Sequence, residues 1–173
     1  LIGAVASTWM MSGVVPTLMY YGLHIIHPKV FLAVACLICA IVAIVTGSSW
    51  TTIATIGVAL MGIGEAQGFS EGWIAGAISS GAYFGDKVSA LSDTTVLASS
   101  TVRVPLFEHI KYMTITTVPS FLFALIVFMA VSFTYATDGS MQVAELTETL
   151  GNSFNISAWL LIVPIVTMIL IAK

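Results

Sequence analysis

Apolar runs of span or half-span length alternate along the chain with short polar patches, a pattern that predicts helices rather than strands. The first run, residues 1–21, carries Gly13 and Pro16 and closes on Tyr20-Tyr21, a pair suited to a headgroup belt. Pro16 predicts a kink there. A short polar turn (His24, His27, Pro28, Lys29) precedes an almost uninterrupted aliphatic helix to Val45, so residues 1–45 read as leading spans. The middle is different. Residues 46–102 hold half-length apolar segments at 53–63, 73–84 and 96–104, set between polar patches at 46–52, 65–71 and 85–95. The pattern then simplifies to a clear span at 113–135 with Pro119 near its start. An acidic loop at 136–155 and a last span at 156–173, kinked at Pro164, complete it.

Composition decides the solvent. Of 173 residues 58% are hydrophobic and only 8% charged, where soluble domains carry about 25% charged residues. A water-soluble globule and a disordered chain are both excluded, which leaves a polytopic all-α membrane protein. At about 20 residues per crossing the length allows at most about six spans. Five basic and eight acidic residues, net −3, offer no basic patch for nucleic acid. Leu1 is not an initiator and both ends stop in apolar sequence, so the expectation is a fragment of a longer transporter. Arg103 and Lys111 flank one end of the 113–135 span, and the loop at its other end has no basic residue. The positive-inside rule then makes the 103–111 turn cytoplasmic and the 138–155 loop external. Cys36 and Cys39 share one helix face in an apolar run without polar company, and read as packing residues.

Broken helices inside a bilayer must bury their freed backbone groups in protein or line a polar cavity, and in secondary transporters they form substrate sites. Two constellations in the middle region carry chemistry. The first is Asp86, Lys87 and Asp93, three ionisable residues within eight positions, flanked by apolar runs. An ionisable side chain at mid-span costs about 2.5–3.5 kcal/mol, so such residues mark function. Asp86 and Asp93 are seven apart and would share a helix face with Ser89 between them. The second is a repeated pattern, Ser-x-Thr-Thr-aliphatic, at Ser49-Trp50-Thr51-Thr52-Ile53 and Ser92-Asp93-Thr94-Thr95-Val96. Paired hydroxyl-rich breaks of this kind suit one small hard cation, held by carbonyls and hydroxyls with Asp93 supplying the charge. Gly68, Gly72 and Gly76, then Gly81 and Gly85, recur every four residues and predict close helix packing without chemistry of their own. His24, His27, Glu65 and Glu71 read as interfacial or solvated.

The run Ser80-Gly81-Ala82-Tyr83-Phe84-Gly85-Asp86-Lys87-Val88-Ser89-Ala90-Leu91-Ser92-Asp93-Thr94-Thr95 resembles a signature of the NhaC-type sodium/proton antiporters. The patch Thr46-Gly47-Ser48-Ser49-Trp50-Thr51-Thr52, followed by Gly57-Val58-Ala59-Leu60-Met61-Gly62, resembles the family's other signature. Where the family has proline after the serine that is here Ser89, this chain has Ala90. The resemblance implies about one half of such a transporter: one repeat of an inverted-repeat fold with broken or re-entrant half-helices. It implies exchange of Na⁺ for H⁺ by competition at a buried carboxylate, Asp93 first and Asp86 second. Ser49, Thr51, Ser89, Ser92, Thr94 and Thr95 would complete the site. Lys87 would either tune the carboxylate or pair with Asp86. No cofactor is implied beyond the transported ions, and the partners are lipid, the other repeat and, in a dimer, a second copy. Two alternatives stand beside this reading. One is Na⁺- or H⁺-coupled antiport of an organic anion. The other is an intramembrane aspartyl protease, disfavoured because Tyr83-Phe84-Gly85-Asp86 lacks the first glycine of its Gly-x-Gly-Asp motif.

Overall fold

The computed structural model describes residues 2–135, 140–154, 156–164 and 166, and among these the secondary structure is entirely helical. The expected all-α class holds. Helices α1 (Ile2–Met11) and α2 (Val14–Ile25) form one interrupted rod. Its break falls at Ser12–Gly13, not at Pro16 where the kink was expected. Gly13 takes φ 83°, which glycine alone adopts without strain. Pro16 lies in the first turn of α2, where its missing N–H has no intrahelical partner to lose.

Helix α3 (Phe31–Thr46) rises through the core and stops at Gly47, with φ 66°. The chain then reverses. α4 (Ser49–Thr52), a π-helical turn over Ile53–Gly57 and α5 (Val58–Ala66) form one continuous descending arm. α6 (Glu71–Val88) rises again, breaks at residues 89–92, and α7 (Asp93–Thr101) follows. α8 (Leu106–Tyr135) returns as a single helix of 30 residues, about 45 Å long. α9 (Ser140–Ser153) and a 3₁₀ turn at Ala158–Leu161 pack on α2.

Side-chain registers define the directions. A Cβ on Gly81 would fall on the Cys36 carbonyl, one on Gly85 would fall on the Ala40 carbonyl, and Ser89 Oγ donates to the Ile44 carbonyl at 2.7 Å. These three contacts keep one offset, so α3 and α6 run parallel at backbone contact. Ser49 meets Asp86, and Gly57 and Gly64 face Ile78 and Ile74, which makes the descending arm antiparallel to α6. Phe84 stacks on Phe121 with ring centroids 4.0 Å apart, and Gly76 faces Phe128. α8 therefore runs antiparallel to α6 and continues along α7. At its far end Ser132 Oγ accepts from the Leu32 N–H at 3.1 Å, satisfying a donor of the first turn of α3 that has no partner within its own helix.

The core is the α3–α6 seam. Phe31, Leu32, Cys36, Cys39, Ile74 and Ala77 are all fully buried there, and the expectation that both cysteines are packing residues agrees with this. Residues Pro28–Thr46 and Leu106–Thr134 are long and apolar enough to cross a membrane.

Several boundaries differ from the pattern-based expectation. The helix expected at 113–135 starts at Leu106, so the basic turn expected at 103–111 shortens to residues 102–105, and Pro119 is interior to the helix. Pro105, just before that start, is tolerated where no intrahelical N–H bond is lost. The stretch expected as a loop at 138–155 contains α9, because Val143, Leu146 and Leu150 recur at helical spacing. Residues 136–139 and 155, and most of the span expected at 156–173, lie outside the described residues.

The seam makes a sharp prediction. Alanine replacing a helical glycine ordinarily stabilises by up to about 1 kcal/mol, whereas overpacking costs about 1–3 kcal/mol. Gly81→Ala is expected to lower the Tm of the detergent-purified protein by several degrees. Gly72→Ala, where a Cβ meets nothing within 4 Å, is expected to leave it unchanged or higher. Equal Tm values for the two variants would contradict the parallel α3–α6 packing.

Candidate functional site

Two chain breaks meet at the top of the α3–α6 seam. One is the Gly47–Ser48 reversal between α3 and α4. The other is residues 89–92, between α6 and α7. A Cβ on Gly47 would lie 2.6 Å from the carbonyl carbon and oxygen of Leu91, so only glycine allows this approach, and its left-handed φ independently demands it. Four helix ends converge here: the carbonyl ends of α3 and α6, which carry partial negative charge, and the N–H ends of α4 and α7, which carry partial positive charge.

The freed backbone groups are satisfied locally. Gly47 N–H donates to the Ala43 carbonyl at 2.8 Å and Thr46 Oγ1 to the Val42 carbonyl at 2.9 Å. Ser89 accepts from the Leu91 N–H at 3.2 Å while its hydroxyl donates to the Ile44 carbonyl of the other break. Thr95 Oγ1 is shared between the Asp86 and Lys87 carbonyls at 3.4 Å each, closing the end of α6 from α7. Ser48 caps the descending arm by accepting from the Thr51 N–H at 3.2 Å and from Thr51 Oγ1 at 3.0 Å.

The charge at this joint is Asp86. It is half-buried, and its Oδ2 accepts from the buried Ser49 hydroxyl at 3.1 Å, across the two breaks. Hydrogen bonds to an ionised group contribute about 1.5–3 kcal/mol, more than neutral ones. Asp93 stands elsewhere. It is exposed in the first turn of α7, and Thr94 beside it is also exposed, with its hydroxyl 2.9 Å from that of buried Ser92. The shared helix face anticipated for Asp86 and Asp93 does not form, because the chain breaks between them.

The repeated Ser-x-Thr-Thr pattern explains the difference. In both copies the serine and the second threonine are buried (Ser49 and Thr52, Ser92 and Thr95) and the x position is exposed, as Trp50 in one and Asp93 in the other. Each pattern opens a helix, whose 3.6-residue period turns positions one and four inward together. That signal was present in the sequence and points away from Asp93. Lys87 is exposed on the face of α6 toward α8, and among the described residues no ion pair joins it to Asp86 or Asp93. Gly47 and the Ile44 carbonyl were not among the anticipated site residues, although Thr46-Gly47 within a hydroxyl-rich patch is a recognisable helix stop.

The model of the Na⁺/H⁺ antiporter family matches residues 81–173, which include the α6–α7 break. The chain belongs to the Na⁺/H⁺ antiporter family. Among its relatives, the Na⁺/H⁺ antiporter NhaC of Alkalihalophilus pseudofirmus is 47% identical over 170 residues, covering 98% of this chain and 37% of that protein. The NhaC of Bacillus subtilis is 37% identical over 175 residues, 100% of this chain and 39% of its own length. The malate-2H⁺/Na⁺-lactate antiporter of Bacillus subtilis is 44% identical over 173 residues, 99% of this chain and 37% of that protein. All three are named for exchange rather than for a chemical transformation. The chain thus spans somewhat over a third of these antiporters, less than the half anticipated. No solved structure matches it.

The joint predicts which serines matter for stability. Ser89→Ala leaves the Ile44 carbonyl without its side-chain donor and is expected to cost about 1 kcal/mol, read as a lower Tm in thermal unfolding. Ser100→Ala, at an exposed hydroxyl bonded only to its own helix, is expected to be silent. If Ser89→Ala were equally silent, the two breaks would not depend on each other.

Proposed function

We propose that the chain forms the ion-binding part of a Na⁺/H⁺ antiporter in the cell membrane, with Asp86 as the carboxylate that Na⁺ and H⁺ share. The observation that carries this reading is the Ser49–Asp86 hydrogen bond across two chain breaks. It puts one carboxylate among hydroxyls and helix-terminal carbonyls, the oxygen-rich setting that hard cations select. In this reading α3 and the descending arm form a re-entrant hairpin, its tip at Gly47 seated at mid-membrane on the break of the discontinuous α6–α7 span. Together they make one repeat of a larger inverted-repeat transporter.

The mechanism follows from ordinary competition. When Asp86 is ionised, Na⁺ enters between its carboxylate and the hydroxyls of Ser49 and Thr95, with the exposed carbonyl ends of α3 and α6 completing the shell. When Asp86 is protonated, the site is neutral and Na⁺ loses its principal partner. Ser89 and Gly47 position the tip, while Ser92, Thr94 and Thr51 hold the helix starts. Asp93 lies outside the shell, at the outward position of its motif. An intramembrane aspartyl protease would need two facing carboxylates, and Asp86 faces a serine instead.

Reconstitution in proteoliposomes tests the assignment. Asp86→Asn is expected to abolish Na⁺-dependent proton flux, and Asp93→Asn to retain it. Ser49→Ala is expected to raise the apparent KM for Na⁺ about tenfold, the effect of about 1.4 kcal/mol lost from one ligand. Full exchange by Asp86→Asn, or its loss in Asp93→Asn alone, would overturn the assignment.

A further inference from the structure

A cleft of about 420 Å³ opens between α2, the descending arm and α6. Its arm wall takes one residue from each successive turn, Ile53, Gly57, Met61 and Glu65, over a length of about 18 Å. This inference rests on the reading that seats the Gly47 tip at mid-membrane. Ile53, one turn from Ser49, then marks the inner end of the cleft. Glu65 marks the outer end, at the level of the Tyr20-Tyr21 pair that follows the lining residue Met19 on α2. The cleft so placed runs through one leaflet, whose hydrocarbon is about 15 Å deep, half of a bilayer core of about 30 Å.

The chemistry of the lining changes only at that outer end. Apart from Glu65, Ser79 is the one polar side chain, and Met10, Met19 and Met61 supply flexible thioethers that adapt to an irregular occupant. Along its apolar length water finds almost none of the roughly two to four hydrogen-bond partners it needs, and an unfilled gap forfeits dispersion contacts. Glu65 is exposed and has no ion-pair partner among the described residues. Two residues on, buried Gln67 donates from Nε2 to the Ile26 carbonyl at 2.9 Å, which ties the end of the arm to the end of α2 and fixes the mouth. A fitting occupant combines a long apolar body with a cationic, hydrogen-bond-donating end at headgroup level.

We propose that this cleft binds one acyl chain of a phosphatidylethanolamine, a phospholipid whose headgroup ends in a primary ammonium. The chain lies along the three methionines toward Ile53, and the ammonium donates to the Glu65 carboxylate. A hydrogen bond between two charged groups is stronger than a neutral one. A choline headgroup carries the same positive charge but no N–H to donate, and an anionic headgroup sets its charge against the carboxylate. The lipid site is separate from Asp86, which meets Ser49 one turn beyond Ile53.

Thermal unfolding of the delipidated, detergent-purified protein at fixed Na⁺ and pH tests this, since a ligand that binds the folded state raises Tm by mass action. Dioleoylphosphatidylethanolamine is expected to raise Tm by at least about 2 °C more than dioleoylphosphatidylcholine does. The mono- and dimethylated headgroups should fall between the two, as N–H donors are removed one at a time. Glycerophosphoethanolamine, the headgroup without its chains, should give no shift. Glu65→Gln should make the ethanolamine and choline lipids equal, and Glu65→Asp should keep the preference. Met61→Trp, which fills the cleft and leaves Glu65 intact, should also erase the preference, and so tests the cleft even if Glu65→Gln fails to fold. Asp86→Asn should keep it, so the sodium assignment and this one fail separately. Equal shifts from the two lipids in the wild type, or a preference that persists in Glu65→Gln, would overturn the proposal. No shift from any lipid would assign the cleft to packing against protein and overturn it equally.

Discussion

Backbone amides freed inside an apolar structure must find partners, and here the two breaks supply them to each other. An unpaired buried carbonyl or N–H costs about 1–3 kcal/mol, so two isolated breaks in a chain of this composition would be expensive. Brought together they are not. The hydroxyl of Ser89 from one break closes the Ile44 carbonyl at the other, and Thr95 reaches from α7 to the two exposed carbonyls at the end of α6. Asp86 and Ser49 then meet as a consequence of the same joint. The Asp86–Ser49 contact and the repair of the backbone are one arrangement.

What holds the joint in register is the seam below it. Gly81 and Gly85 let α6 lie against the α3 backbone, and Ser89 continues the same four-residue spacing onto the Ile44 carbonyl. Small residues serve packing lower down, and the last of the series serves capping and the site. The Phe84–Phe121 stack and the Leu32–Ser132 hydrogen bond fix α8 across the outer face of α6, leaving a hydroxyl-lined groove between them. α6 thus presents the Asp86 carboxylate to the descending arm and the Lys87 side chain, about a quarter turn away, to the side of α8.

Much of this was legible in the residues. The solvent, the helical class, the two polar breaks and the close packing at Gly81 and Gly85 follow from pattern and composition, whereas Gly68 and Gly72, expected in the same packed series, are exposed and a Cβ on Gly72 would meet nothing within 4 Å. The reversal at Gly47 was not, because a hydroxyl patch with one glycine suits a kink as well as a hairpin; only the Leu91 contact at Gly47 decides it. The weight placed on Asp93 over Asp86 rested on neighbouring oxygen atoms, whereas helical period turns position x of the Ser-x-Thr-Thr pattern outward. Pro16 was given the break that belongs to Gly13, since a proline in a first turn does not disturb a helix. Ala90, where the family has proline, leaves the break intact, because Ser89 and Ser92 hold extended backbone there with ψ of 132° and 125°.

The central claim is that a single carboxylate serves both ions, and proton release on sodium binding measures it without any transport assay. Purified protein in weakly buffered solution, titrated with NaCl against a choline chloride control, is expected to release up to one proton per Na⁺ bound. Release should vanish in Asp86→Asn while surviving in Asp93→Asn. Undiminished release from Asp86→Asn, or saturable Na⁺ binding by the wild type with no proton released at any pH, would contradict the account.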